Sequence, residues 1–442
     1  MIDLNNLPKK IKNAFNLRQK SIEEITQLQV ELLKKHISHA LKGEFYSKLL
    51  GKNFDVSDIT SIEDIKKLPL TDRKSLEENT NSFFAVKKEK FCDLNLTSGT
   101  TSNPVLIPYT KKDLDRLAFN EAIAFAGFGT TANDCFLLCV TLDKCFVAGL
   151  AYFLGLKMLG AKIIRSGPGQ IHRQWELIKK LKPTGIVGVP SFLIKMAKWA
   201  QDNNIDPKNF GIKHLVAIGE PIRNIDLTSN NLGKEIKKLW GIDAISTYAA
   251  TELETCFCEC YKAQGCHIHP ELSIVEIIDE TTNNPVPEGV CGEVVVTPLG
   301  VEGLPLIRYK TGDIARLYTS KCDCLWTTPR LGPIEGRLSQ RLKYKGTTLY
   351  PDMIFQILTE IPEIEASYIE VRESYKLSDE ITVIVSSKEH KIDINRVKKL
   401  LQAKLRVTPI IKAEKFEAVM KKIQPPGQRK PKRFFDLRRK YE

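Results

Sequence analysis

The chain has no apolar run approaching the roughly 20 residues that a membrane-spanning helix requires, so no transmembrane segment is expected. Its first ten residues, Met1 to Lys10, have neither the apolar centre nor the small-residue cleavage site of a secretory signal, and a cytoplasmic location is the expectation. Internal repeats and extended low-complexity stretches are also missing, which removes solenoid and disordered-scaffold architectures. Aromatic residues make up 8% of the chain and do not interleave with the basic ones, so the stacking platform of a single-strand nucleic-acid binder is absent from the pattern.

What is present is the composition of a globular protein: 442 residues, 42% hydrophobic and 27% charged. At roughly 150 residues per domain, two or three compact units are expected. The formal charge of +13 suits a polyanionic partner, whether nucleic acid, an acidic surface or a phosphorylated cofactor. Basic residues crowd the carboxyl end from Lys421 to Lys440, which by itself describes a solvated tail. Eleven cysteines without a secretion signal argue for reduced thiols, with metal binding, rather than for a disulfide framework.

Apolar spacing predicts an amphipathic helix over residues 18–42, with Ile22, Ile25, Leu28, Leu32 and Leu33 on its stripe. Short apolar runs then alternate with helical stretches, among them Cys135–Val140, Val147–Leu159, Gly185–Val189 and Phe192–Trp199. This rhythm indicates an α/β fold with a largely parallel sheet. From Leu272 to Val296 the pattern turns β-rich, and a more antiparallel subdomain is expected there. A further boundary falls near Gly336–Arg337, dividing a large domain, 1–336, from a small α+β domain, 337–442, with strands at Ser367–Val371 and Ile381–Val385 and a helix at Ile394–Leu405.

Five local motifs carry candidate chemistry. Thr97-Ser98-Gly99-Thr100-Thr101-Ser102-Asn103-Pro104 sets hydroxyls around a glycine, a composition that cradles phosphate oxygens and equally makes an ordinary turn; it lacks the Gly-Lys-Ser/Thr ending of a Walker loop. Gly219-Glu220-Pro221 and Thr311-Gly312-Asp313 read locally as turns. In Tyr248-Ala249-Ala250-Thr251-Glu252, a flat ring suits a purine and a carboxylate suits a hard cation on phosphate oxygens. Lys430-Pro431-Lys432-Arg433 supplies ammonium groups able to neutralise charge developing on phosphate.

In their order along the chain, and over nearly its whole length, the motifs resemble those of the adenylate-forming superfamily, especially its phenylacetate-CoA ligase branch. The resemblance implies a large domain and a mobile small one, hinged at Arg337–Ser339. It implies that Thr97, Ser98, Gly99, Thr100 and Thr101 grip phosphate, with Ser102 and Asn103 replacing the family's Gly and Lys. Gly219, Glu220 and Pro221 would border the adenine pocket and Tyr248 would pack on the ring. Thr251 would contact phosphate, Glu252 would help bind Mg2+, Asp313 would accept the ribose hydroxyls, and Arg337 would contact nucleotide. Lys430 takes the place of the adenylation lysine, with Lys432 its competitor because the nearest glycine, Gly427, is displaced.

Cys256, Cys258, Cys260, Cys266, His267 and His269 form one cluster and Cys322 and Cys324 a second. Thiolate and imidazole favour tetrahedral Zn2+, and certain members of the same branch carry a similar insert. The expected ligands are Cys260, Cys266 or His267, Cys322 and Cys324. Cys92, Cys135, Cys139, Cys145 and Cys291 fit buried thiols best.

The resemblance implies ATP-dependent activation of an aryl or other small carboxylic acid through acyl-AMP, then thioester formation with CoA. Transfer to a carrier protein or an amine is the variant left open, as is a homodimer. Segment Ala148–Gly160 is compatible with an acyl pocket and equally with ordinary helix packing. The competing class is a zinc-containing nucleic-acid-binding protein, motivated by charge and by the Cys/His clusters. It leaves the ordered motifs unexplained, so nucleic acid and membrane are not expected partners.

Overall fold

The computed structural model describes residues 7–97, 104–344, 347–372, 379–389, 391–425 and 431–438. Among them, no helix is long and apolar enough to cross a membrane. The chain divides into two compact units. The first comprises Met1–Thr311 with Ala315–Pro333, and the second Gly312–Ile314 with Ile334–Glu442. Gly312–Ile314 belongs to the second because Asp313 and Ile314 pair antiparallel with Arg337 and Gly336.

The first unit is built on a nine-stranded sheet. Strands Lys162–Arg165, Cys135–Leu138, Gly185–Gly188, His214–Ala217 and Ala244–Ala250 lie side by side in parallel. Alternation then sorts the side chains. Phe136, Leu138, Val187 and Val216 face helices Lys111–Gly127 and Val147–Leu159. Leu137, Ile186, Leu215 and Ala217 face helices Ile171–Leu181, Pro190–Asp202 and Asn231–Trp240. Burial on both faces explains why a central strand such as Gly185–Gly188 reads as an unbroken apolar run. Gly185 admits the ring of Phe136, since a Cβ there would stand 2.3 Å from it. Beyond Ala250 the sheet becomes antiparallel, with Thr255–Glu259 and then Cys266–His267. Ser273–Ile278 and Gly292–Pro298 pair as an antiparallel hairpin in a separate sheet.

The expected helix over 18–42 runs from Ile22 to Ala40. Its start is fixed by a reciprocal cap in which Ser21 Oγ accepts the Glu24 amide at 3.2 Å and Glu24 Oε2 accepts the Ser21 amide at 3.1 Å. In the second unit, strands Ile410–Ala413, Glu380–Ser386, Ala366–Arg372 and Phe434–Asp436 form one sheet in that order. Helices Pro351–Leu358 and Ile394–Leu405 pack against it through Ile354, Ile357, Val397 and Leu401.

Candidate active site and cysteine–histidine centre

The motif residues of the first unit gather where two neighbouring parallel strands end. Gly219-Glu220-Pro221 follows His214–Ala217, and Thr251-Glu252 follows Ala244–Ala250. The carboxyl ends of parallel strands are where open α/β sheets bind ligands, because the loops there leave a crevice. Gly219 has φ +74, a left-handed conformation that favours glycine. Glu220 is turned onto a helix start: its oxygens accept the amide and the hydroxyl of Ser191, each at 2.9 Å, in the first turn of Pro190–Asp202. Tyr248 is half-buried and stacks on Phe257 at 6.1 Å.

Arg73 joins two of these motifs. Its guanidinium donates to Glu252 Oε1 at 3.0 Å and to Thr97 Oγ1 at 3.1 Å, while its Nε donates to Glu77 at 2.7 Å. Thr97 is held in turn by a two-way bond with Val105: its amide donates to the Val105 carbonyl and its hydroxyl accepts the Val105 amide, both at 3.0 Å. The Tyr309 hydroxyl also approaches Glu252 Oε1, at 3.5 Å, and burial, followed by the Glu252 charge, raises its pKa. A threonine hydroxyl, a carboxylate and a guanidinium thus converge on one place. Arg73 had no signal in the sequence, where it is one charged residue among many in a short helix, Arg73–Asn79.

Ser98, Gly99, Thr100, Thr101 and Lys430 lie outside the described residues. Lys432 is held by its amide, which donates to the Ile423 carbonyl at 2.7 Å, and its ammonium stands 5.3 Å from the Phe435 ring. Within the second unit, Arg337 Nε lies 2.9 Å from Asp313 Oδ1.

Cys260, His267, Cys322 and Cys324 form a buried group whose ligand atoms all lie within 4.8 Å of one another. Cys260 Sγ is 3.8 Å from Cys322 Sγ, and Cys324 Sγ is 3.4 Å from His267 Nε2. Tetrahedral zinc with bonds of about 2.3 Å to sulfur and 2.0–2.1 Å to nitrogen sets such edges at about 3.8 and 3.6 Å. The donor set and its spacing fit that metal. Hydrogen bonds from Cys260 and then Cys324 lower the Cys322 pKa, while the same Cys260–Cys322 contact raises that of Cys260. His267 Nδ1 is paired with Thr328 Oγ1 at 2.9 Å, which fixes the ring so that Nε2 faces the sulfurs.

Of the two alternatives Cys266 and His267, the group contains His267, and one expectation about buried thiols is corrected. Cys266 lies outside the group, because it precedes His267 on a strand where successive side chains point to opposite faces. Its thiol faces the Ser246 carbonyl at 3.5 Å instead. Cys92 and Cys145 are exposed and Cys135 and Cys291 partly so, whereas Cys139, Cys256 and Cys258 are buried thiols. Cys92 stands on a two-stranded ribbon with alternating exposure, and Cys145 occupies a loop at φ 53.

The AMP-binding enzyme family matches residues 32–301, more than half of the chain, so the chain belongs to that family. Its relatives include two phenylacetate-coenzyme A ligases. That of Thermus thermophilus is 30% identical, over 82% of this chain and 82% of its own. That of Escherichia coli is 26% identical, over 85% of each chain. Among solved structures, 2-hydroxyisobutyryl-CoA ligase in its postadenylation state with 2-HIB-AMP superposes with a TM-score of 0.82 at 20% identity, covering 95% of this chain and 91% of that one. The last likeness speaks for the fold.

Proposed function

We propose that the chain is an AMP-forming acid-CoA ligase. A carboxylate oxygen attacks the α-phosphorus of ATP, the bond to the bridging oxygen breaks, and pyrophosphate leaves. The CoA sulfur then attacks the acyl carbon and AMP departs. The observation that carries this reading is the joining of Thr97 and Glu252 by Arg73 at the strand ends, in a relative of phenylacetate-CoA ligases.

In this reading Thr97 to Thr101 grip phosphate and Tyr248 packs on adenine, with Gly219, Glu220 and Pro221 at the pocket border. Because the Glu220 carboxylate is engaged with Ser191, the border it offers is backbone. Thr251 and Arg73 orient the phosphates, Asp313 and Arg337 hold the ribose side, and Lys430 neutralises developing charge. Glu252 is the carboxylate that would hold Mg2+, which supplies charge neutralisation on the phosphates. Cys260, His267, Cys322 and Cys324 would hold a structural zinc. The division into 1–336 and 337–442, with Arg337–Ser339 as hinge, belongs to the same proposal, as does a cytoplasmic location.

Exchange of labelled pyrophosphate into ATP, dependent on a carboxylic acid, tests the first half-reaction. Acid-dependent release of AMP that requires CoA tests the second. Exchange without a CoA requirement for turnover would assign a carrier-protein or amine acceptor instead. Acid-independent behaviour throughout would end the ligase reading.

A further inference from the structure

Beside Thr251 lies a cavity of about 80 Å³, walled by apolar groups such as Leu117, Val147, Ala148 and Ala151. Two acidic residues, Glu121 and Glu254, are also among its lining. Both are almost completely buried, with 3% and 2% exposure. Neither Glu254 oxygen has a hydrogen-bond partner among the described residues. The Arg116 charge acts on Glu254, but its guanidinium makes no hydrogen bond to that carboxyl. Arg116 instead donates to the carbonyls of Leu299, Glu254 and Leu272 and to the Thr255 hydroxyl.

Glu254 sits at φ +49, just after the turn Thr251–Leu253 that ends the motif strand. Helix packing fixes Glu121 equally firmly. Helix Val147–Leu159 approaches helix Lys111–Gly127 so closely that a Cβ on Gly155 would stand 2.3 Å from the Glu121 Cβ. Tyr109, Tyr152, Thr251 and Thr255 add further polar residues to the lining. The Tyr109 hydroxyl donates to the Thr251 carbonyl at 3.4 Å.

A buried polar group without a partner calls for a physical reason, since its desolvation is otherwise uncompensated. An unsubstituted alkyl or phenyl group entering this cavity would leave the Glu254 carboxyl unpaired, and would add no partner to Glu121 beyond its bond with Cys256. Its volume is also about half of the roughly 150 Å³ that admits benzene. Burial pushes the Glu121 carboxyl up to about 7, and burial followed by the Asp113 charge raises Glu254 well above the usual range. Each carboxyl is therefore poised to accept from a neutral donor, or to ionise against a cation.

We propose that the acid activated here is short and carries a hydroxyl or amino group, which seats against the Glu121 and Glu254 carboxyls. This rests on the acid-CoA ligase reading and deepens it. The two carboxyls act as specificity determinants: a site built to bond a hydroxyl or amine discriminates strongly against the analogue that lacks it.

The test is pyrophosphate exchange by the full chain with lactate, 3-hydroxybutyrate, β-alanine and 4-aminobutyrate, against propionate, butyrate, valerate and phenylacetate. At least one substituted acid should exceed its unsubstituted counterpart of equal carbon number by tenfold or more in kcat/KM, and the hydroxy and amino arms identify the group. Glu254→Met and Glu121→Met should each shrink that ratio, and Glu254→Gln should retain most of it for the hydroxy acids. Preference for an unsubstituted acid or phenylacetate overturns the proposal while leaving the ligase reading intact. A ratio unchanged in both Met variants overturns it too. Failure of every acid to support exchange removes the ligase reading and this proposal together.

Discussion

Arg73 and Glu252, 179 residues apart in the chain, are joined by a 3.0 Å ion pair in which the same guanidinium also holds the Thr97 hydroxyl. The pair sets the carboxylate and the hydroxyl in register before any nucleotide arrives. Removing one preorganised donor that faces developing negative charge, as in an oxyanion hole, costs about 10²–10³ in rate. Arg73→Met and Glu252→Gln should each lower acid-dependent pyrophosphate exchange by that order. Exchange within a factor of two of wild type in both would detach this pair from the chemistry.

The cysteine–histidine group predicts the metal content. Purified chain should carry about one zinc, and Cys322→Ser or Cys324→Ser should lose it, whereas Cys266→Ala should keep it. The segment after Cys324 is tied to Arg18, which caps helix Lys9–Leu17, since the Thr327 amide donates to the Arg18 carbonyl at 2.8 Å and the Arg18 guanidinium lies over Trp326. Chelation should therefore lower Tm by at least about 5 °C. Equal metal loss in Cys266→Ala and Cys322→Ser would overturn the ligand assignment.

Glu121 predicts a pH dependence of stability. Its carboxyl is raised from 4.5 to about 7 by burial, partly offset by a hydrogen bond with Cys256. An acid raised in the fold contributes stability that is fully present below its ordinary pKa and is lost as pH rises through the folded value. Across pH 4.5 to 8 the loss amounts to about 3 kcal/mol. Glu121→Gln should flatten the stability curve between pH 5 and 8 relative to wild type in denaturant titrations. Parallel curves would show that Glu121 does not titrate there.

Lys430 and Lys432 are separable in the first half-reaction. Lys432 is anchored by its amide and its ammonium lies against Phe435. Lys430→Ala should reduce exchange by about 10² or more, and Lys432→Ala should change it little. Preserved exchange in Lys430→Ala, with loss in Lys432→Ala, transfers the role to Lys432.

Much of the architecture was legible because its signals are local. Apolar runs such as Gly185–Val189 marked strands of a largely parallel sheet. Ile394–Leu405 was read to its ends from its periodicity. The Tyr248–Glu252 and Gly219–Pro221 motifs were also visible, since each occupies a few consecutive residues. Exposure of single cysteines was not: Cys92 and Cys145 fall in short or irregular segments whose facing depends on what covers them.

By itself, then, the sequence determined the order of strands and helices, the family motifs and the two Cys/His-rich segments, because propensity, periodicity and contiguous motifs act over a few residues. Tertiary structure alone decided that His267 rather than Cys266 joins Cys260, Cys322 and Cys324, since strand pairing sets which face each residue takes. It alone brought Arg73 to Glu252 and placed Glu121 beside the cavity that Glu254 also lines. Such meetings depend on how distant segments pack, and no spacing along the chain encodes them.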